Sequence, residues 1–190
     1  LQAKADVEKA QAELNDVTFI NTTLSLLDSN DVPKLLSASC TREEIAAFKD
    51  KLDKIALMKS LCAWLREAIK AKNNAYAIYS NYFVGASIYS ENKKIYSSCN
   101  VENISYPCGT CAEAGAISAM IVNGDRKIVE ILITSSGNDS VYPCGACLQR
   151  ISEFSDDNTL IHLADNTKVC KTYKLKDLMP HQFNAKELAN

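Results

Sequence analysis

The chain has 190 residues, 47% of them hydrophobic, and a formal net charge of −2. That is enough apolar material for one packed domain and an addition, in a chain long enough to fold without disulfide staples. No Lys/Arg run, no apolar stretch of membrane-spanning length and no charged-then-apolar leader stands out in it, so the expectation is a cytoplasmic protein with no nucleic-acid or membrane partner.

Residues 1–62 have a helical texture. Val7, Ala10, Leu14, Val17 and Leu24 fall on one stripe at steps of three, four or seven, interrupted by Asn21 and Asp28. "SNDVPKLLSASC" then reads as a connection containing Pro33. Thr41 with Glu44 three residues on forms a capping-box signature, and Ile45, Phe48, Leu52, Ile55 and Met58 continue a second stripe. These features predict an N-terminal helical hairpin over 1–62, serving as packing surface.

From residue 63 strands and helices alternate. "FVGASIYS" and "KIYSSCNV" are strand-like, with "ENKK" as a hairpin turn between them. "CAEAGAISAMIV" predicts a helix ended by "NGD", and "VEILITS" a buried strand. "CGACLQRISEF" predicts a second helix, "TLIHLAD" and "KVCKTYKL" two further strands, and "LKDLMPH" a last helical turn. The fold class is therefore α/β, a three-layer α/β/α sandwich on a mixed sheet of about five strands. No G-x-G-x-x-G or Walker loop is present.

One phrase occurs twice: "YPCGTC" at 106–111 and "YPCGAC" at 142–147. Without an export signal, clustered cysteines point to metal binding or chemistry more than to disulfides. A four-cysteine zinc site is closed and structural, whereas a catalytic zinc keeps one position open. A pair of redox dithiols is a third possibility. Glu113 breaks the symmetry, since "AE" follows the first phrase and "LQ" the second. A carboxylate two residues beyond a metal-binding cysteine sits near the metal without ligating it, where a proton shuttle belongs. Both phrases start helices, whose positive dipole ends favour thiolate, and Cys144 and Cys147 share one side of a first turn.

Cys-Ala-Glu at 111–113, followed by Pro-Cys-Gly-Ala-Cys with Cys144 falling 33 residues after Cys111, resembles the cytidine deaminase family. So does "AYAIYSNYFVGASIYS" beside that family's AYxPYSxFPVGA opening, as do "NVENISY" beside N-x-E-N-A-S-Y and "LMPHQF" beside L-L-P-x-x-F. The resemblance covers about residues 63–190 and implies a zinc-dependent cytidine deaminase domain there. It implies one Zn²⁺ per chain held by Cys111, Cys144 and Cys147, with Glu113 as the catalytic proton shuttle in hydrolytic deamination at C4 of a cytosine ring. It places Asn100 and Glu102 on the sugar hydroxyls, and Tyr106, Ala112, Tyr82, Phe83 and Phe183 around the substrate. A carboxylate suits a hydroxyl donor and repels a phosphate, so the expected substrate is a free cytosine nucleoside, cytidine or deoxycytidine. Phe183 matches an aromatic that reaches a neighbouring subunit's site, which implies a homotetramer with active sites at subunit interfaces.

Two departures stand out. Ala114 and Leu148 occupy positions where many three-cysteine relatives carry arginine, and Arg150 is the nearest substitute. Cys108 stands where most relatives have an aliphatic residue; it is expected to be a spare thiol, the alternative being a fourth ligand in a non-catalytic zinc module with a helical interaction hairpin. A deaminase of a modified cytosine nucleoside is the within-family alternative. His162 and His181, the only histidines, suggest no second metal. Cys40, Cys62, Cys99 and Cys170 are expected to be packing residues, "VGA" at 84–86 a strand under close backbone approach, and "SEFSDD" a solvated helix end.

Overall fold

A computed structural model describes residues 47, 50, 61–137 and 140–183. The stripes and cap expected within residues 1–62 lie outside the described residues, except that positions 47, 50, 61 and 62 are helical. Residues Ala63–Asn190 form a compact unit of their own.

Helix α1, residues 61–72, has no glycine or proline and buries Trp64, Leu65, Ala68 and Lys72, a stripe at helical spacing. It ends where Asn73 and Asn74 donate back to the Ile69 and Ala71 carbonyls. Strand β1 (Val84–Ser90) and strand β2 (Ile95–Cys99) form an antiparallel hairpin. Its turn closes through Lys93 N to Ser90 O, 2.9 Å, with Lys93 at φ 61°.

A 3₁₀ turn at Tyr106–Cys108 leads into helix α2 (Ala112–Val122). Strand β3 (Ile128–Ser135), helix α3 (Gly145–Glu153) and strand β4 (Leu160–Ala164) make a β-α-β crossover, and β3 and β4 are parallel. Strand β5 (Val169–Lys174) and a short helix, α4 (Leu175–Leu178), complete the described fold. The five strands lie in the order β2-β1-β3-β4-β5, every pair but β3–β4 antiparallel.

Strand alternation sorts the two faces. Ala86, Ile88, Ile131, Ile133, Ile161 and Leu163 point to one side and pack with Ala112, Ala116, Ile117 and Met120 of α2 and Ile151 of α3. Each fully buried Ile or Leu of this layer contributes about 1.5–3 kcal/mol relative to exposure. The opposite face carries Ser87 and Tyr89, which meet α1: Ser87 Oγ donates to the Trp64 carbonyl at 2.9 Å, and the Trp64 and Tyr89 rings stack at 4.9 Å. The result is the expected three-layer sandwich.

Two glycines permit this stacking. A Cβ on Gly85 would lie 2.0 Å from the Ala68 carbonyl oxygen, so α1 rests directly on the strand backbone. A Cβ on Gly115 would lie 2.2 Å from Ser98 Oγ, and this close approach sets α2 against β2.

Two groups of buried polar side chains are paired, while Ser155 Oγ is buried without a partner. On the α1 side, His162 is buried and bonds Glu130 at 2.7 Å and Thr172 at 2.9 Å, a core histidine as expected. Beyond the C-terminus of α2, buried Asp125 accepts from Ser90 Oγ, from Asn92 Nδ2 at 2.8 Å and from Tyr96 OH at 2.9 Å, with Lys94 Nζ at 3.9 Å. One cysteine expectation is corrected: Cys170 is exposed on the edge strand β5, its Sγ 3.3 Å from Asp165, while Cys62 and Cys99 are half-buried. The "SEFSDD" segment is only partly solvated: Glu153, Asp156 and Asp157 are exposed, with Asp156 pairing Lys127 at 3.0 Å, whereas Phe154 packs against the core just beyond the end of α3.

Candidate active site

Cys111 is the N-cap of α2 and Cys144 the N-cap of α3; Cys147 lies in the first turn of α3. The β3–α3 connection and the close packing of α2 on β2 bring the two helix starts together. The Cys111, Cys144 and Cys147 sulfurs lie within 4.8 Å of one another, the only such His/Cys/Asp/Glu group found among the described residues. The edge of a tetrahedral zinc–thiolate site is about 3.8 Å, from Zn–S bonds of about 2.3 Å. The three sulfurs are near enough to hold such an ion once they draw together by up to about 1 Å.

Electrostatics favour the same conclusion. Burial pushes the Cys147 thiol far up, and the charges of Glu113 and Cys111 push it further. Burial likewise raises Cys111. Burial also acts to raise Cys144, but hydrogen bonds from the backbone and thiol of Cys147 outweigh it and leave that thiol below its usual value. Three sulfur donors and a carboxylate crowded into one half-buried corner repel one another as anions. A divalent cation removes that repulsion, and soft thiolates select zinc.

Glu113, in the first turn of α2, is 5% exposed. Burial holds its carboxyl above the ordinary range, partly opposed by its own backbone amide, by Cys147 and by the charge of Arg150. Arg150 is exposed in the last turn of α3, yet its charge reaches Glu113. Cys108 is exposed and not among the clustered sulfurs; its Sγ lies 3.6 Å from Ser105 Oγ.

A cavity of about 520 Å³ opens onto Cys111, lined also by Tyr79, Ser80, Asn100, Glu102, Tyr106 and Thr110. Glu102 accepts from the Tyr79 amide at 2.8 Å, the Ser80 amide at 3.3 Å and the Ser80 hydroxyl. The Ser80 hydroxyl bond and then the Tyr79 amide hold its carboxyl below the usual range, so it is an anion at neutral pH. Asn100 Oδ1 accepts from the Val84 amide at 2.8 Å, and its Nδ2 donates to the Tyr82 carbonyl at 2.9 Å.

Three of the expected substrate residues thus share the cavity with Cys111: Asn100, Glu102 and Tyr106. Ala112 is fully buried. Tyr82, Phe83 and Phe183 are outside the lining. Tyr82 is 41% and Phe183 60% exposed, and the Phe183 carbonyl is held by Gln149 at 2.8 Å. Tyr79, Ser80 and Thr110 were not anticipated from sequence. Thr110 pairs its backbone with Val101, and the turn at Ala77–Asn81 aims the Tyr79 and Ser80 amides at Glu102. The adjoining polar "YSNY" was the available signal for the latter pair.

Comparison with known proteins agrees with this geometry. The family model described as "Cytidine and deoxycytidylate deaminase zinc-binding region" matches residues 58–163. A cytidine deaminase of Sporosarcina psychrophila is 31% identical over 125 residues, covering 66% of this chain and 92% of the relative. One from Mycoplasma genitalium is 32% identical over 128 residues, covering 66% and 98%. The crystal structure of cytidine deaminase from Burkholderia pseudomallei superposes with a TM-score of 0.61 at 32% identity, over 64% of this chain and 97% of that one.

Proposed function

The chain belongs to the family of zinc-binding cytidine and deoxycytidylate deaminases, and from that premise we propose a role for each residue of the sulfur corner and its cavity. The activity is the zinc-dependent hydrolytic deamination of a cytosine nucleoside, in which water replaces the C4 amine and ammonia leaves. Cys111, Cys144 and Cys147 hold the metal. Zinc supplies Lewis acidity that makes a water nucleophilic near neutral pH. Glu113 is placed to pass a first proton from that water to ring N3, where it stays, and then to carry the second, from the new C4 hydroxyl, to the amine that leaves as ammonia. Its burial favours the task, because a carboxyl that ionises less readily than usual is a better proton acceptor than an exposed one. The helix N-termini and Arg150 offset the negative charge that the relatives' arginines would offset, Ala114 and Leu148 being unable to do so.

Asn100 and Glu102 bind the sugar. Glu102 is an acceptor only, so it selects a hydroxyl and repels a phosphate; this supports cytidine or deoxycytidine over a nucleotide. The single observation that carries the reading is the cluster of three cysteine sulfurs with buried Glu113 two residues from Cys111, the one of the three cysteines that also lines the cavity. It weighs against the four-cysteine module, since Cys108 lies outside the cluster.

The deaminase domain is residues 63–190, with 1–62 as an addition whose role is packing. Around the cavity Tyr76, Ile78, Tyr79, Val101, Ile104 and Tyr106 are exposed, an apolar rim that supports burial against other copies in a homotetramer. Tyr82, Phe83 and Phe183 then complete a substrate site shared between subunits. No helix among the described residues is long and apolar enough to cross a membrane, and a cytoplasmic location fits a salvage enzyme. The test is an ultraviolet assay of cytidine, deoxycytidine, cytosine, CMP and a modified cytosine nucleoside, with zinc and oligomer mass measured on the same sample. Turnover of cytidine or deoxycytidine with one zinc per chain is expected; no turnover of any cytosine nucleoside by the zinc-loaded protein overturns the reading.

A further inference from the structure

The segment between α1 and β1 carries an ordered chain of hydrogen bonds that the reaction itself does not require. Ser80 Oγ accepts from the Tyr82 amide at 3.0 Å. With that lone pair engaged, its single proton points to Glu102 Oε1. The Tyr82 carbonyl accepts from Asn100 Nδ2, and Asn100 Oδ1 accepts from the Val84 amide. The two polar residues of the cavity are therefore joined through Ser80 and the backbone of Tyr82. Glu102 Oε2 meanwhile accepts both the Tyr79 and Ser80 amides. Of roughly four acceptor sites on a carboxylate, three are filled and one on Oε1 remains for a ligand.

We propose that Ser80 is a positioning residue for sugar recognition: its hydroxyl fixes the Glu102 carboxylate so that one Oε1 lone pair faces a nucleoside hydroxyl in the cavity. This rests on the assignment of Glu102 to the sugar given above, and adds the residue that aims it. The Ser80 hydroxyl is bonded to Glu102 and the Tyr82 amide and is not part of the sulfur cluster, so its effect falls on binding and leaves the chemical step alone. Because Ser80 acts only through Glu102, its removal has no further consequence once that carboxylate is gone.

The experiment is a double-mutant cycle on the zinc-loaded full chain: wild type, S80A, S80T, E102A and S80A/E102A. Steady-state kinetics with cytidine are paired with calorimetric binding of the product uridine, which needs no turnover. S80A is expected to raise KM and the uridine Kd about tenfold with kcat within about twofold, the scale of one hydrogen bond to a charged group. S80T restores both, and S80A adds nothing on the E102A background. The inference is overturned if S80A leaves KM and uridine binding unchanged, if kcat falls as far as kcat/KM, or if the S80A and E102A effects add. Those outcomes leave the functional reading intact, provided that the wild type deaminates cytidine. A wild type that turns over no cytosine nucleoside ends the functional reading and this inference together.

Discussion

The two ends of α2 each bury a carboxylate, and they treat it in opposite ways. At the N-terminal end Glu113 lies among three thiols, with only its own amide, Cys147 and the charge of Arg150 drawing its carboxyl down, and burial wins. Beyond the C-terminal end Asp125 receives Ser90, Asn92 and Tyr96 and has Lys94 nearby; the Ser90 and Asn92 hydrogen bonds lead, and they hold its carboxyl below the usual range. A buried anion with its donors supplied is a structural post that ties the β1–β2 hairpin to the helix. One short of donors, next to clustered sulfurs and a cavity, is placed for proton transfer and for a cation.

The comparison breaks most visibly at Glu113. E113A is expected to retain zinc and fold normally while kcat falls by about 10³–10⁴-fold, the upper range for a general acid–base group. A drop below tenfold, by the same ultraviolet assay, removes Glu113 from its role.

Next come the sulfurs. C111A or C147A is expected to lose most bound zinc by elemental analysis, and activity with it, whereas C108A keeps both. Zinc lost from C108A would recast the site as a closed one.

At the opposite end, D125N is expected to lower the melting temperature by several degrees with kcat nearly unchanged. The sign with pH follows from the depressed carboxyl. Its stabilisation is complete above the unfolded Asp value of about 3.9 and disappears as pH falls through the folded value. The gap in melting temperature between wild type and D125N should therefore be constant from pH 7 to about 5 and narrow in stronger acid. A gap that widens on acidification contradicts the structural role.

The smallest effect is expected at exposed Arg150. R150A should reduce kcat/KM by a few-fold at most, with zinc retained, because the charge acts across solvent. Kinetics and zinc content both unchanged would show that the helix N-termini alone offset the thiolates.

What sequence revealed divides along the same line. The sulfur corner was legible because its parts are local: each cysteine phrase starts a helix, and Cys144 and Cys147 share one turn. The strands were legible from β-branched, alternating runs such as "VEILITS". The Asp125 post was not, since "NGD" signals only a helix stop and its partners at Ser90, Asn92 and Tyr96 lie about 30 residues away in sequence. Cys170 was expected to pack and is exposed because β5 is an edge strand, and edge position is a property of sheet order that no local pattern states. Ser80 and Tyr79 sit in an irregular polar turn without periodicity, and their role emerges only when the chain carries Glu102 beside them.

The most direct test is zinc-edge X-ray absorption on the purified full-length protein. Three sulfur neighbours and one oxygen or nitrogen per zinc, unchanged in C108A, are the expected result. Four sulfur neighbours in the wild type, falling to three in C108A, would contradict the account.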